Sequence, residues 1–328
     1  MRPRRLPGQG RGHLTGETRR GCTLRSRPPV REAAPAKLNL HLRVVGRRDD
    51  GYHLLDSLVA FAAVHDVIAA EPAETLSLSV DGPFAGALER ALRTDGAENL
   101  ALRAARLLAE AAGLRPEARI TLTKTLPVAA GIGGGSADAA ATLRALCALW
   151  RLDLSGEELR RLALPLGADL PACLAARPVL VAGIGERIEA VPPLPAAGLL
   201  LVNPGAPVAT AGIFAARRGP FSAPAGLRRE DLAAVRDAAA LAGLLQPLGN
   251  DLATPAIAAV PAIAAILDRL AAAPDCLLAR LSGSGATCFG LFPDEAAAET
   301  AAAAIAAEQP GWWVAPTRFL SEAPPRAG

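Results

Sequence analysis

At 328 residues with 51% hydrophobic content, the chain is long enough for two cores of ordinary size, and no uninterrupted apolar run approaches the ~20 residues of a membrane span. Its five cysteines, Cys22, Cys147, Cys173, Cys276 and Cys288, form no Cys-x-x-Cys pair, which argues against structural zinc or a disulfide framework and for reduced cytoplasmic thiols. The net charge of +3 is uneven: nine Arg and one Glu give residues 1–31 a charge of +8, leaving −5 for residues 32–328.

Residues 1–33 read as a disordered, dispensable basic extension. The stretch lacks the apolar region of a signal peptide and only mildly resembles a transit peptide. No aromatic platform accompanies its charge, so neither nucleic acid nor membrane is expected as a partner. Residues 37–45 alternate as a strand does, 47–51 form a polar turn, and 53–63 read as the return strand. Short strands are expected near 66–70 and 75–80, an amphipathic helix over 98–112 stopped by Gly113, a strand over 118–124 and a helix over 136–150. A helix over 155–164 opens on Ser155, with Glu157 and Glu158 in its first turn. The Pro-rich segment 191–195 marks a domain boundary. Beyond it, strands at 198–202, 277–281, 287–292 and 312–319 and helices at 260–272 and 294–308 suggest a ferredoxin-like layer. The expected division is therefore an extension over 1–33, domains over 34–196 and 197–320, and a tail over 321–328.

The most informative segment joins the 118–124 strand to the 136–150 helix: Pro127-Val128-Ala129-Ala130-Gly131-Ile132-Gly133-Gly134-Gly135-Ser136. Glycines let a backbone approach an anion closely, and the unpaired amides and dipole of a helix start favour negative charge. A phosphate is therefore expected at Ser136. No Gly-Lys-Ser/Thr follows, so this is not a Walker loop. A dinucleotide fingerprint would need its third glycine where Ser136 stands.

Three segments in order, Pro35-Ala36-Lys37-Leu38-Asn39-Leu40, the 131–140 loop and Leu281-Ser282-Gly283-Ser284-Gly285-Ala286-Thr287, resemble the small-molecule kinases of the GHMP superfamily over nearly the whole chain from Pro35. Within it, Arg47-Arg48-Asp49-Asp50-Gly51-Tyr52-His53, Leu166-Gly167-Ala168-Asp169-Leu170-Pro171, and Pro204-Gly205 followed by Thr210 and Phe214 resemble the branch that acts on cytidine diphosphate methylerythritol in the non-mevalonate isoprenoid pathway. The resemblance implies an α+β, two-domain GHMP kinase fold with a ribosomal-protein-S5-domain-2-like N-terminal domain, a ferredoxin-like C-terminal domain and the site between them. It also implies transfer of the ATP γ-phosphate to the erythritol 2-hydroxyl, with ATP and Mg²⁺ required, by a cytoplasmic monomer or weak homodimer.

Carried onto this chain, the resemblance makes Asp169 and Lys37 catalytic. Asp169 is the candidate base for the hydroxyl proton; the alternative is a cap for a short helix opening at Pro171. Lys37 would neutralise charge beside that aspartate; the alternative is a solvated lysine at a strand start. Pro127, Gly131, Gly133, Gly134, Gly135, Ser136, Lys124 and Asn99 are expected at ATP, with Ser136 also a possible Mg²⁺ contact or simply the helix N-cap. Asp138 is read only as a complement to the helix dipole. Asn39, Tyr52, His53, Thr210 and Phe214 are expected at the substrate, Tyr52 and Phe214 stacking on opposite faces of the pyrimidine and His53 bonding to its edge.

Overall fold

The computed structural model describes residues 28–320; the expectations for residues 1–27 and for the 321–328 tail lie outside them. A long antiparallel hairpin, β1 (Val30–Arg47) and β2 (His53–Glu71), organises the N-terminal half. Its turn is closed by a hydrogen bond from Arg48 N to the Tyr52 carbonyl and by Asp50 Oδ1 accepting from Tyr52 N. The return strand absorbs the short strand expected near 66–70, because apolar alternation continues through His65-Asp66 without a turn residue. Ordered structure also begins earlier than Ala34: residues from Val30 pair with β2 up to Ala70, and the buried Glu32 binds Arg144.

The chain continues through β3 (Ser77–Asp81), α1 (Ala85–Asp95), α2 (Leu100–Ala112), β4 (Arg119–Thr123), α3 (Gly134–Trp150), α4 (Gly156–Ala163), a 3-10 turn (Leu164–Leu166), α5 (Leu170–Ala175), β5 (Val179–Gly183) and β6 (Arg187–Ala190). Its C-terminal part contains β7 (Gly198–Asn203), α6 (Thr210–Ala216), α7 (Arg229–Ala233), α8 (Ala238–Leu245), α9 (Ala253–Ala259), α10 (Ala262–Ala272), β8 (Leu278–Leu281), β9 (Cys288–Phe292), α11 (Glu295–Glu308) and β10 (Trp313–Arg318). The expected helix over 260–272 forms as α10, starting at Ala262 behind Pro261, which separates it from α9. Sheet order β10-β7-β9-β8, antiparallel throughout, is the ferredoxin-like arrangement.

Period-two alternation gives the hairpin two apolar faces. On one, Val59, Phe61 and Ile68 pack with Leu108, Leu143 and Leu146. On the other, Leu38, Leu40, Leu58 and Ala60 pack with Leu199, Leu201, Leu241, Phe289 and Leu291 of the C-terminal part. Complete burial of each such Leu or Phe contributes about 1.5–3 kcal/mol, so the second face is a core shared across the 191–195 segment. Arg280 reinforces it, donating to the carbonyls of Leu40 at 2.8 Å and Leu245 at 3.1 Å.

His41, fully buried beside this seam, has neither ring nitrogen hydrogen-bonded. Burial, then the cations of Arg280 and Arg43, push its pKa down to about 4; Asp56 at 3.7 Å pulls the other way and is outweighed. The unfolded chain therefore binds this proton more readily than the folded one. Stability from a neutral His41 is complete above pH 6.5 and is lost as pH falls toward 4. The loss attributable to His41 is about 3 kcal/mol. Urea unfolding between pH 7.5 and 4.5 should show it, and His41→Leu should flatten that part of the profile.

Candidate active site

A cavity of about 380 Å³ lies where β1, the glycine loop, α3, α6 and the 282–286 loop converge. Lys37, Asn39, Lys124, Pro127, Gly131, Gly133, Gly134, Gly135, Ser136, Asp169, Thr210 and Phe214 all line it. Helix α3 starts at Gly134, two residues before Ser136, with Gly133 as its N-cap. Ser136 is thus not the cap, and its hydroxyl is left to the cavity. The first intrahelical bond runs from Ala137 N to the Gly133 carbonyl, so the amides of Gly134, Gly135 and Ser136 have no partner within the helix. They form an anion cradle.

Gly131 and Gly133 both take the left-handed angle, and at Gly131 contact alone would also exclude a side chain. At Gly131 (φ +74°) a Cβ would stand 2.5 Å from the Ser282 carbonyl oxygen, and at Gly133 (φ +63°) it would stand 3.1 Å from the Lys37 side chain. The loop is pinned to the third motif by Ser282 Oγ donating to the Gly131 carbonyl at 3.0 Å and by Thr287 N donating to the Ala130 carbonyl. It is pinned to β1 by Lys37 N donating to the Ile132 carbonyl.

Lys37 Nζ lies 3.2 Å from Asp169 Oδ2 and donates to Asn39 Oδ1 at 2.9 Å. Asp169 occupies the N-cap position of α5 but makes no capping bond, and its side chain is half exposed at the cavity. The capping alternative therefore has no geometric support. Asn39 lines the same cavity, and its Nδ2 donates to Ser57 Oγ at 2.9 Å.

Lys124, just past the end of β4, is shut off from solvent. It is buried between Asp66 and Asp138, donating to both, with Asp138 Oδ2 at 2.9 Å. Burial opposes its charge, but the two carboxylates overrule that and raise its pKa. Asp66 also accepts from Thr125 N at 2.6 Å and Leu126 N at 2.8 Å, fixing the start of the glycine loop. Asp138, read from sequence as a dipole complement, faces the cavity instead; burial pushes its pKa up to about 7 against the pull of Lys124, and its Oδ1 has no partner. Asn99 caps α2, accepting from Ala101 N at 2.8 Å, and does not line the cavity.

A family model for the N-terminal domain of GHMP kinases matches residues 99–177, and one for the GHMP kinase C-terminal domain matches 225–311. The chain is 55% identical over 288 residues to the 4-diphosphocytidyl-2-C-methyl-D-erythritol kinase of Paramagnetospirillum magneticum, covering 88% of this chain and 98% of that one. It is 52% identical to the kinase of the same name from Rhodospirillum rubrum, over 89% of this chain and 93% of that one. The crystal structure of a 4-(cytidine 5'-diphospho)-2C-methyl-D-erythritol kinase superposes with a TM-score of 0.70 at 35% identity, covering 88% of this chain and 98% of that one. This chain belongs to the 4-diphosphocytidyl-2-C-methyl-D-erythritol kinase family. It has the two-domain GHMP kinase fold and is a small-molecule kinase that uses ATP as phosphate donor.

Against that family assignment, the aromatic residues sit differently from the sequence expectation. His53 stacks on Phe214 with centroids 5.0 Å apart and planes at 29°, covering one face of Phe214. Tyr52 is 59% exposed beside them, and neither it nor His53 lines the cavity. A pyrimidine sandwiched between Tyr52 and Phe214 would thus share the rim with the His53 ring. Thr210 Oγ1 is 2.9 Å from Ser284 Oγ, adding a hydroxyl that sequence reasoning missed.

Kinases of the GHMP type imply Mg²⁺. Among the described residues no cluster of three or more His, Cys, Asp or Glu assembles, so no resident cage exists there. The unpartnered Asp138 Oδ1 and the Ser136 hydroxyl fit an ion that takes one or two protein oxygens and completes its shell with phosphates and water.

Proposed function

We propose that this kinase transfers the ATP γ-phosphoryl group to the 2-hydroxyl of 4-diphosphocytidyl-2-C-methyl-D-erythritol, in isoprenoid precursor synthesis. The observation that carries the reading is the Lys37–Asp169 pair at 3.2 Å, opening on the same cavity as the Gly134–Ser136 amides. Phosphates rest on those amides and on the N-terminus of α3. Asp169 accepts the hydroxyl proton as the oxygen bonds to the γ-phosphorus and the bond to the β-phosphate oxygen breaks. Lys37 offsets the negative charge gathering there. Ser136 and Asp138 would hold Mg²⁺, which would supply charge neutralisation at the phosphates. One chain contributes every group named, which supports action as a monomer or weak homodimer; four unpaired cysteines among the described residues support a cytoplasmic setting.

A coupled assay of ADP release over cytidine-diphosphate, mevalonate-type and amino-acid alcohols tests this reading. Turnover should favour the cytidine-diphosphate methylerythritol; preference for either of the other classes would overturn it.

Base recognition follows from the rim. Burial, then Arg47 and Arg217, lower the His53 pKa, so at neutral pH its ring is uncharged and offers one donor and one acceptor. Cytosine and uracil differ in that pattern along their pairing edge, whereas both stack alike. Tyr52→Ala and Phe214→Ala should weaken cytidine- and uridine-diphosphate ligands similarly, by about 1–3 kcal/mol. His53→Ala should erode the preference for cytidine selectively. Calorimetric titration of the two nucleotides checks this, and a preference untouched by His53→Ala contradicts it.

A further inference from the structure

A line of buried hydrogen bonds runs from the Lys37–Asp169 pair into the wall of the hairpin. Asn39 Oδ1 accepts from Lys37 Nζ at 2.9 Å, Asn39 Nδ2 donates to Ser57 Oγ at 2.9 Å, and Ser57 Oγ donates to the His41 carbonyl. Lys37 and Asn39 are 4% exposed and Ser57 is 1% exposed. The strand register shifts between Asn39 and His41, and such a bulge re-aims side chains and main-chain groups locally.

The direction of the line is set from its far end. A serine hydroxyl has one hydrogen. Here it goes to a main-chain carbonyl, so toward Asn39 Ser57 only accepts. The amide nitrogen of Asn39 must therefore face Ser57, and its oxygen must face Lys37, whose ammonium only donates. The flipped amide would set its NH₂ against the ammonium and its oxygen against the hydroxyl oxygen, leaving both buried ends unpaired.

We propose that Ser57 is a positioning residue for phosphoryl transfer: it fixes the orientation of the Asn39 amide and thereby holds the Lys37 ammonium between Asn39 and Asp169. Ser57 does not line the cavity and acts through Asn39. This role presupposes the phosphotransfer reading above.

The test compares full-length Ser57→Ala and Ser57→Thr with the unaltered protein, measuring kcat and both KM values normalised to the nucleotide-binding fraction. Ser57→Ala removes the acceptor, and kcat should fall about 10- to 100-fold, the usual cost of losing an outer-shell orienting group. Both KM values should change by less than about threefold, the pattern of an interaction exerted on the transition state. Ser57→Thr keeps the hydroxyl on a side chain suited to a strand and should stay within about threefold of the original kcat. If Ser57 only packs, Ser57→Ala will lower the melting temperature and the binding-competent fraction while leaving kcat unchanged. That result overturns the proposal, as does a Thr variant as slow as the Ala variant. Should Ser57→Ala fail to fold, Ser57→Cys, with similar shape and a weak thiol acceptor, replaces it and must show the same fall in kcat. Absence of phosphoryl transfer in the unaltered protein would overturn the phosphotransfer reading as well, a result distinct from variants that all match a working enzyme.

Discussion

Asp169→Asn is expected to lower kcat by about 10²–10⁴-fold while leaving nucleotide affinity and melting temperature close to those of the unaltered protein. Asparagine matches the carboxylate in shape but cannot take the substrate proton. The structural cost should be small because Asp169 makes no capping bond and is half exposed, with its one ion pair directed at Lys37. Steady-state kinetics, nucleotide titration and a thermal melt separate the outcomes. Turnover near normal would remove Asp169 from the chemistry, and loss of folding would make its pair with Lys37 a structural one.

Lys124→Met should give the largest loss of stability, about 3–5 kcal/mol, because it leaves two carboxylates buried without their shared cation. Asp66 keeps its bonds to the amides of Thr125 and Leu126; Asp138 keeps none on Oδ1. Relief therefore comes by protonating Asp138, whose pKa is already pushed up to about 7 from 3.8 and rises further when Lys124 no longer opposes burial. A folded pKa above the unfolded one means that the folded state binds the proton more readily. Stability then falls as pH rises through the interval between the two values. The deficit of Lys124→Met relative to the unaltered protein should accordingly be smaller at pH 5.5 than at pH 8, and taking that difference cancels the opposite background from His41. Urea unfolding at both pH values checks it; a deficit under about 1 kcal/mol, the scale of a surface pair, would show that the buried network contributes little.

The hairpin, the glycine loop and the ferredoxin-like order were legible because each leaves a local mark: alternation, a run of glycines, a spacing of strands. Lys37, Ser136 and Asp169 were legible through motif resemblance, and the structure brings them to one cavity. The pairing of Asp138 and Asp66 was not recognised, because Lys124, just past the end of β4, meets one from α3 and the other from β2, and pairing across elements leaves no local pattern. An aspartate immediately before the apolar run Val67-Ile68-Ala69-Ala70 was the available signal. Asn99 is an ordinary helix cap as well as a nucleotide candidate: its Oδ1 accepts from Ala101 N, and its neighbour Leu100 lines the cavity. The small helices α6 to α9 lack the length over which periodicity accumulates.

Because one face of the hairpin belongs to each half of the molecule, the floor of the active site is also the partition between them. Swinging the halves apart to admit a substrate would strip Leu38, Leu58, Phe289 and their neighbours of cover, at about 1.5–3 kcal/mol for each large side chain. The rim costs less to cross: there the 217–228 segment is tied by Ser222 N to the Val44 carbonyl, Ala225 N to Asp56 Oδ2 and Arg43 Nη1 to the Ala223 carbonyl, beside the His53–Phe214 stack. The phosphate cradle, tied to β1 through Lys37 N and to the 282–287 loop through Ser282 Oγ and Thr287 N, belongs to that fixed partition, so the way in for a substrate is over the rim and not through the seam.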